Sequence, residues 1–158
     1  MTAWPTDPRE IARRGRELSG MDYIGLLLDG KLPPPPIAET LGFRLVEVES
    51  GRAVFEMEPE MRHYNPIGTV HGGIALTLLD SAMGCAVHST LDAGVGYTTL
   101  EVKTNFVRAI TADTGTIRCE GHVVHGGSRV ATAEGRVTDA GGRLLAHGST
   151  TCLILRDG

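Results

Sequence analysis

The segment from Gly72 to Leu91 carries apolar residues on nearly every side of a predicted helix, and this limits how the rest of the chain can fold. Ile74, Leu78 and Ala82 recur at four-residue steps, as they do along one face of an α-helix. Other apolar residues occupy the remaining faces, and a helix of that kind has to be enclosed by other elements. The rest of the chain must therefore provide a surface that wraps around it.

The residues on both sides of this helix show the two-residue alternation of β-strands that bury one face. Two strands are predicted before it, over residues 43–49 and 53–58, and four after it, over 98–108, 117–123, 129–138 and 143–155. Short glycine turns such as Gly126-Gly127 require antiparallel neighbours, because a parallel crossover needs far more chain. The sequence thus predicts an α+β fold in which an antiparallel sheet of about six strands curls around one long central helix.

The first 36 residues follow a different pattern. A short helix is predicted from Asp7-Pro8 through Leu18, and Asp22 is expected to cap a second helix rich in leucine. Four consecutive prolines, Pro33 to Pro36, then forbid helix and impose a stiff, extended connector. We expect residues 1–36 to be an arm docked on a main domain over residues 37–158, because the arm is too short for its own core.

Composition and motif content exclude several classes of function. A net charge of −4 argues against nucleic acid as a partner, since its backbone requires clustered Lys and Arg. The longest apolar stretch is too short and too polar for a membrane span, and no signal peptide follows the first Met, so a cytoplasmic location is expected. Cys85, Cys119 and Cys152 are odd in number and far apart, which fits neither disulfides nor a zinc site. No metal site and no cofactor are expected.

Asp80 lies two to three turns inside the apolar helix, where folding alone gives no reason to keep a carboxylate. Gly73, Thr77 and Asp80 fall at three- and four-residue spacing, which forms a stripe that a narrow ligand can approach. Gly72 and Gly73 begin the helix, where backbone N–H groups lack internal partners and the helix dipole favours negative charge. Taken singly, such an Asp is usually a surface residue and such glycines mark a turn. Together, a carbonyl polarised at one end and a carboxylate two turns along predict an acyl-transfer site.

The residues before the helix carry a recognisable motif. The pattern Asn65-x-x-Gly68-x-x-His71-Gly72-Gly73, with an acidic residue nine positions after the histidine, resembles the phenylacetate-degradation (PaaI-like) branch of hotdog-fold thioesterases. The resemblance implies the hotdog fold, in which the sheet wraps the long helix. It also implies an acyl-CoA thioesterase that releases a carboxylic acid and CoA, with coenzyme A as part of the substrate.

The same resemblance implies roles for individual residues. Asp80 is then the nucleophile or the general base toward water, and the N–H of Gly72 polarises the thioester carbonyl. Asn65 helps to place the substrate or the water. In some relatives a Thr one turn after the acid orients the water, but that position is Gly84 here, and Thr99 falls where other relatives carry a Ser or Thr for this task.

The remaining residues of the predicted site are expected to contact the substrate: Gly68, His71, Gly73 and Thr77. His71 is either a general base or a structural hydrogen-bonding residue at the helix start. The resemblance covers about residues 37–155 and implies a homodimer whose two sheets join into one, often as a dimer of dimers. It does not cover the arm, whose role is open.

Two other functions are considered. Hotdog enoyl-CoA hydratases resemble this chain around Asn65-Pro66-Ile67 but carry an Asp two residues before the Asn and a His three after it, where this chain has His63 and Gly68. A non-catalytic acyl-CoA sensor is the alternative from another class, but such proteins usually add a DNA-binding helix-turn-helix. The arm is short and has only one small basic cluster, Arg13, Arg14 and Arg16.

Overall fold

The structure is a computed structural model that describes residues 5–156. These residues form four α-helices packed against one six-stranded sheet. The helices are α1 (Pro8–Gly15), α2 (Gly20–Leu28), α3 (Pro36–Leu41) and α4 (Gly72–His88). The strands are β1 (Phe43–Glu49), β2 (Arg52–Met57), β3 (Val95–Phe106), β4 (Ile117–Gly126), β5 (Val130–Asp139) and β6 (Leu144–Arg156). Within the described range, no helix has both the length and the apolar character needed to cross a bilayer.

All six strands form one antiparallel sheet in the order β1-β2-β4-β5-β6-β3, as the glycine turns predict. The sheet curls around α4, whose Leu78, Leu79 and Met83 are almost completely buried. Gly121 of β4 allows this close approach, because a Cβ atom there would lie 2.5 Å from the carbonyl carbon of Ala82. The predicted α+β architecture, with a central helix wrapped by a sheet, is confirmed.

One side of α4 is not covered, although the sequence predicts an enclosed helix. Leu76 and Asp80 are exposed on this side of the single chain. The neighbouring strand β3 is an edge strand of twelve residues, and its Leu100 and Phe106 are 57% and 60% exposed. A long edge with exposed apolar side chains is a surface that natural proteins usually cover.

The arm packs on the sheet and on the far end of α4, with details that the sequence did not predict. Helix α1 ends at Gly15, and α2 is capped by Ser19, whose hydroxyl accepts the Asp22 N–H at 3.1 Å. Asp22 was therefore the wrong choice of cap. The last of the four prolines, Pro36, is the first residue of α3, because a helix tolerates proline where its N–H has no partner anyway.

Candidate active site

Asp80 and Thr99, which the sequence places 19 residues apart, meet between α4 and β3. The Thr99 hydroxyl donates a hydrogen bond to Oδ1 of Asp80 at 2.9 Å. Among the described residues, no hydrogen bond involves the second oxygen, Oδ2. The carboxylate is thus held at one oxygen and open at the other.

A β-bulge in β3 sets the direction in which Thr99 points. The pairing of β3 with β6 shifts between Thr99 and Glu101, so that Leu100 is an extra residue. Tyr97 and Thr99 face α4 before the bulge, whereas Val102 packs against the core after it. Strict alternation would instead turn the charged Glu101 inward. The bulge therefore lets one strand supply both an active-site hydroxyl and part of the core.

Asp80 and Thr99 lie at the rim of a cavity of about 490 Å³, named here the Asp80 cavity. Its walls come from α4, from β1 to β3 and from the arm. The lining is mostly apolar: Leu27, Leu32, Ile37, Phe43, Leu45, Phe55 and the prolines Pro33 to Pro35. Arg44 also lines it but is paired with Glu56 at 3.0 Å. An apolar cavity with a carboxylate at its rim suits a ligand with an apolar body and a reactive carbonyl.

Two buried titratable side chains, Cys85 and Tyr97, also line the Asp80 cavity without being ionised. Burial, together with the nearby Asp80 carboxylate, raises the pKa of the Cys85 thiol to about 12. Burial likewise holds the pKa of the Tyr97 hydroxyl well above its ordinary value. Because the thiolate is the nucleophilic form of cysteine, Cys85 is inert at neutral pH. Asp80 is the carboxylate that this cavity offers for chemistry.

The start of α4 presents a backbone donor. His71 caps the helix by accepting the Gly73 N–H on its Nδ1 at 2.9 Å, so its structural role is the one that the geometry favours. Within residues 5–156 no hydrogen bond uses the N–H of Gly72. A Cβ atom on Gly72 would lie 2.9 Å from Cζ of Phe106, so an exposed aromatic ring lies over this glycine. The free donor sits in a second cavity, of about 390 Å³, that Asn65 also lines.

Asn65 organises the loop before α4 rather than projecting a free amide into this second cavity. Its Oδ1 accepts the N–H groups of Ile67 and Thr69 at 3.0 and 3.2 Å, and its Nδ2 donates to the Thr69 hydroxyl at 3.0 Å. Gly68 has a φ of +87°, a conformation that favours glycine. The His that hotdog enoyl-CoA hydratases carry at this position would have a strained backbone here. This is a second argument against a hydratase, beside the absence of the Asp and His pair from the sequence.

The predicted site residues fall into two groups, one beside the middle of α4 and one at its start. Asp80 and Thr99 line the Asp80 cavity, whereas Asn65, His71 and Gly72 line the second one. Gly72 and Asp80 are eight residues apart, which is about 12 Å along a helix. One carbonyl group cannot reach both from the same chain. The donor end and the carboxylate are already about two turns apart in the sequence, and their roles in catalysis stay predictions.

Thr77 and Gly73, two residues of the predicted substrate stripe, lie between these groups. The Thr77 hydroxyl donates to the Gly73 carbonyl at 2.8 Å, a bond within the helix. Neither residue lines either cavity within the part of the chain that the structure describes. Their contact with substrate stays a prediction.

Sequence reasoning missed the arm as part of the site. Leu27, Leu32 and Pro33 line the Asp80 cavity, although the sequence assigns no role to the arm. The leucines of α2 are visible in the sequence, but they indicate only that this helix packs against some apolar surface. Across residues 5–156, no group of three or more metal-ligating side chains is close enough to hold an ion.

This chain is similar in sequence to known thioesterases and hydrolases. A sequence profile of the thioesterase superfamily matches residues 67–146. The chain is 33% identical to human acyl-coenzyme A thioesterase 13 over 109 residues, which is 68% of this chain and 76% of that protein. It is 25% identical to the 1,4-dihydroxy-2-naphthoyl-CoA hydrolase of Listeria monocytogenes over 118 residues, which is 75% of this chain and 94% of that protein.

Solved structures agree with the fold. A phenylacetic acid degradation-related protein from Ralstonia eutropha superposes with a TM-score of 0.75 at 28% identity, over 83% of this chain and 98% of that one. A mutant form of the phenylacetic acid degradation protein PaaI from Thermus thermophilus gives a TM-score of 0.68 at 28% identity, over 75% of this chain and 98% of that one. The predicted hotdog fold is confirmed.

Proposed function

Because the chain belongs to the thioesterase superfamily, we propose that it hydrolyses an acyl-CoA thioester to a free carboxylic acid and CoA. Thioester hydrolysis is the activity of the family, and acyl-CoA is the substrate that we propose for this chain. Both relatives named above are, by name, thioesterases or hydrolases of CoA thioesters. Coenzyme A enters as part of the substrate, and no other cofactor is proposed.

One observation carries the proposal: the Asp80 carboxylate, anchored by Thr99 at 2.9 Å, lies at the rim of an apolar cavity. A general base must have an open oxygen within reach of the proton that it takes. Oδ2 of Asp80 fits that need, since Thr99 occupies only Oδ1. The cavity beyond it has the apolar lining that an acyl group requires.

The proposed reaction proceeds through attack by water. The water oxygen bonds to the carbonyl carbon while a water proton passes to Oδ2 of Asp80. Thr99 steadies the carboxylate and can accept a hydrogen bond from the same water. The carbon–sulfur bond then breaks, and Asp80 returns the proton to the CoA sulfur. If Asp80 instead attacked the carbonyl directly, acid-quenched enzyme would carry the mass of the acyl group.

A backbone donor is needed for the negative charge that develops on the carbonyl oxygen. We propose that the Gly72 N–H serves this role from the partner subunit of a homodimer, since about 12 Å of helix separates Gly72 from Asp80 within one chain. The unpaired β3 edge and the open side of α4 support such a pairing, because it would join two sheets and cover both surfaces. A dimer of dimers stays a prediction.

We also propose a cytoplasmic location. Cys85, Cys119 and Cys152 are free thiols, and the last two are buried. Unpaired cysteines of this kind fit a reducing compartment.

The test is release of free CoA thiol from a panel of acyl-CoAs, with pre-existing free thiol subtracted. Turnover that is saturable in substrate and is lost in Asp80→Asn would support the proposal. Tight binding of acyl-CoA without thiol release would instead identify a binding or sensing protein. No binding and no release across the panel would remove acyl-CoA as the substrate class.

A further inference from the structure

A third cavity lies directly behind the Asp80 cavity. It has a volume of about 460 Å³ and is lined by residues of α1, α2, α3, the proline connector, β3 and the C-terminal half of α4; it is named here the arm cavity. Six residues line both cavities: Leu27, Pro33, Pro34, Pro35, Cys85 and Tyr97. The two spaces are therefore neighbours that share a common wall.

The arm is fixed in place where it forms this wall. Gly20 donates its N–H to the Leu91 carbonyl at 2.9 Å, and a Cβ atom on Gly20 would lie 1.7 Å from the His88 carbonyl oxygen. Ile24 and Leu32 are 1% and 2% exposed. At Gly20 the backbone of the arm directly contacts the backbone at the end of α4, and buried residues lie on both sides of Leu27 in the sequence. The arm is therefore packed as part of the domain.

The two cavities follow each other along α4. Asp80 lies at the rim of the first, Cys85 is shared, and His88 lines only the arm cavity. From Asp80 to His88 the helix rises by about 12 Å. Gly84 leaves space for the Tyr97 ring, because a Cβ atom there would lie 2.8 Å from the Tyr97 hydroxyl oxygen. The two cavities therefore lie one after the other along α4, and Leu27 and Tyr97 are among the residues at the boundary between them.

The chemistry of the lining selects the ligand. Leucines and prolines of the arm form the outer wall, and prolines have no N–H that an apolar ligand would deprive of water. A linear hydrocarbon chain can extend through two mostly apolar cavities that lie one after the other, whereas a compact ring system attached near the thioester would occupy only the Asp80 cavity.

We propose that the Asp80 cavity and the arm cavity form one acyl channel, that the substrate is a linear aliphatic acyl-CoA long enough to enter the arm cavity, and that Leu27 limits the chain length. This inference rests on the proposed function. Each methylene that the channel buries contributes about fourfold to kcat/KM, the equivalent of about 0.8 kcal/mol. The preference for long chains therefore measures how far the channel extends.

The experiment compares Leu27→Trp with Leu28→Trp. Leu28 is the next residue of α2, is 39% exposed and lines neither cavity within the described residues, so it controls for a tryptophan on this helix. The measured quantity is the ratio of kcat/KM for lauroyl-CoA to that for butyryl-CoA. Leu27→Trp should lower this ratio on the order of 10²-fold, as expected when three or four methylenes lose their place. Leu28→Trp should leave the ratio within about threefold of the original.

Leu27→Ala provides a second test that does not depend on fitting a large ring. It should widen the passage and raise kcat/KM for palmitoyl-CoA relative to octanoyl-CoA. The inference is overturned if Leu27 and Leu28 variants give the same ratios, or if phenylacetyl-CoA exceeds every linear chain in the unsubstituted protein. If no acyl-CoA of the panel is hydrolysed at all, the proposed function itself fails, which is a different result from hydrolysis without chain-length control.

Discussion

The two ends of helix α4 differ in what they offer to a substrate. The N-terminal end has a backbone N–H, that of Gly72, and lies beneath the exposed ring of Phe106. The middle and C-terminal part has a carboxylate, Asp80, and a long apolar lining supplied in part by the arm. The first end offers a free N–H that can stabilise a developing negative charge, and the second offers the carboxylate that we propose as the base.

This difference has a structural origin. Backbone donors without partners occur only in the first turn of a helix, whereas a side chain can be placed at any turn. A carboxylate can therefore lie beside the Asp80 cavity, far from the free N–H groups of its own helix. In the proposed homodimer, a two-fold axis would bring the start of one α4 to the middle of the other, and the following predictions test that arrangement.

The largest expected effect is that of Asp80→Asn. The variant keeps the shape of the side chain and its bond from Thr99 but cannot take a proton, so kcat should fall on the order of 10²- to 10⁴-fold. Asp92→Asn, in the loop after α4, is the matched control and should retain its rate. Steady-state kinetics measure kcat for both variants, and circular dichroism checks that both are folded. If Asp80→Asn kept more than about a tenth of the original kcat, a different group would have to be the base.

Gly72→Ala should act at the other end of the helix. The φ of Gly72 is not positive, and the nearest atoms to the new methyl group belong to the exposed Phe106 ring, which can shift, so thermal stability should be nearly unchanged. The displaced ring and the methyl group should hinder approach of a carbonyl oxygen to the N–H, and kcat should fall about 10²- to 10³-fold. Gly25→Ala in α2, whose Cβ position is in open space, is the control. An unchanged rate together with an unchanged Tm would mean that the carbonyl is polarised elsewhere.

Mixing inactive subunits tests whether the two ends belong to different chains. Asp80→Asn subunits carry an intact helix start, and Asn65→Ala subunits carry an intact carboxylate but lose the three hydrogen bonds that organise the loop before Gly72. After full exchange half of the dimers are mixed, and one site of two is intact in each, so about a quarter of the original activity should return. Asp80→Asn subunits carried through the same exchange alone are the control. Absence of recovery, with mixed dimers verified by native mass spectrometry, would contradict a shared site.

The smallest expected effect concerns the arm and His88. Burial lowers the pKa of His88, although the end of a helix favours a positive charge, and its ring lies 5.6 Å from Tyr23 and 5.4 Å from Tyr97. The unfolded chain therefore binds this proton more readily, so the contribution of neutral His88 to stability is present above about pH 6.5 and is lost as the pH falls below it.

Urea unfolding at pH 7.5 and 5.5 measures this effect. His88→Phe keeps an aromatic ring between the two tyrosines and should lose less stability between these pH values than the unsubstituted protein. The exposed His125, changed to Gln, serves as the control and should follow the unsubstituted protein. Equal losses in all three proteins would mean that protonation of His88 does not oppose folding.

Local patterns in the sequence were sufficient to predict most of the fold. Strand β1 begins and ends where the alternation predicts, and the helix of residues 72–88 begins at the predicted glycine. These elements are predictable because hydrophobic periodicity and glycine turns act over a few residues. The cap of α2 was wrong, since Ser19 and Asp22 are both good caps and only their placement in the structure separates them.

Asp80 and Gly72 were also visible in the sequence, because a carboxylate and a glycine pair stand out in an apolar helix. Thr99 was assigned to the same site through the family resemblance alone. The hydrogen bond from Thr99 depends on a bulge at Leu100, which no local pattern predicts. The wall of the Asp80 cavity depends on Gly20, which allows the arm to lie against the end of α4. Sequence determined which residues are chemically unusual, because that is a property of each residue in its own segment. Tertiary structure decided what they face, because the distance between segments is set by packing over the whole domain.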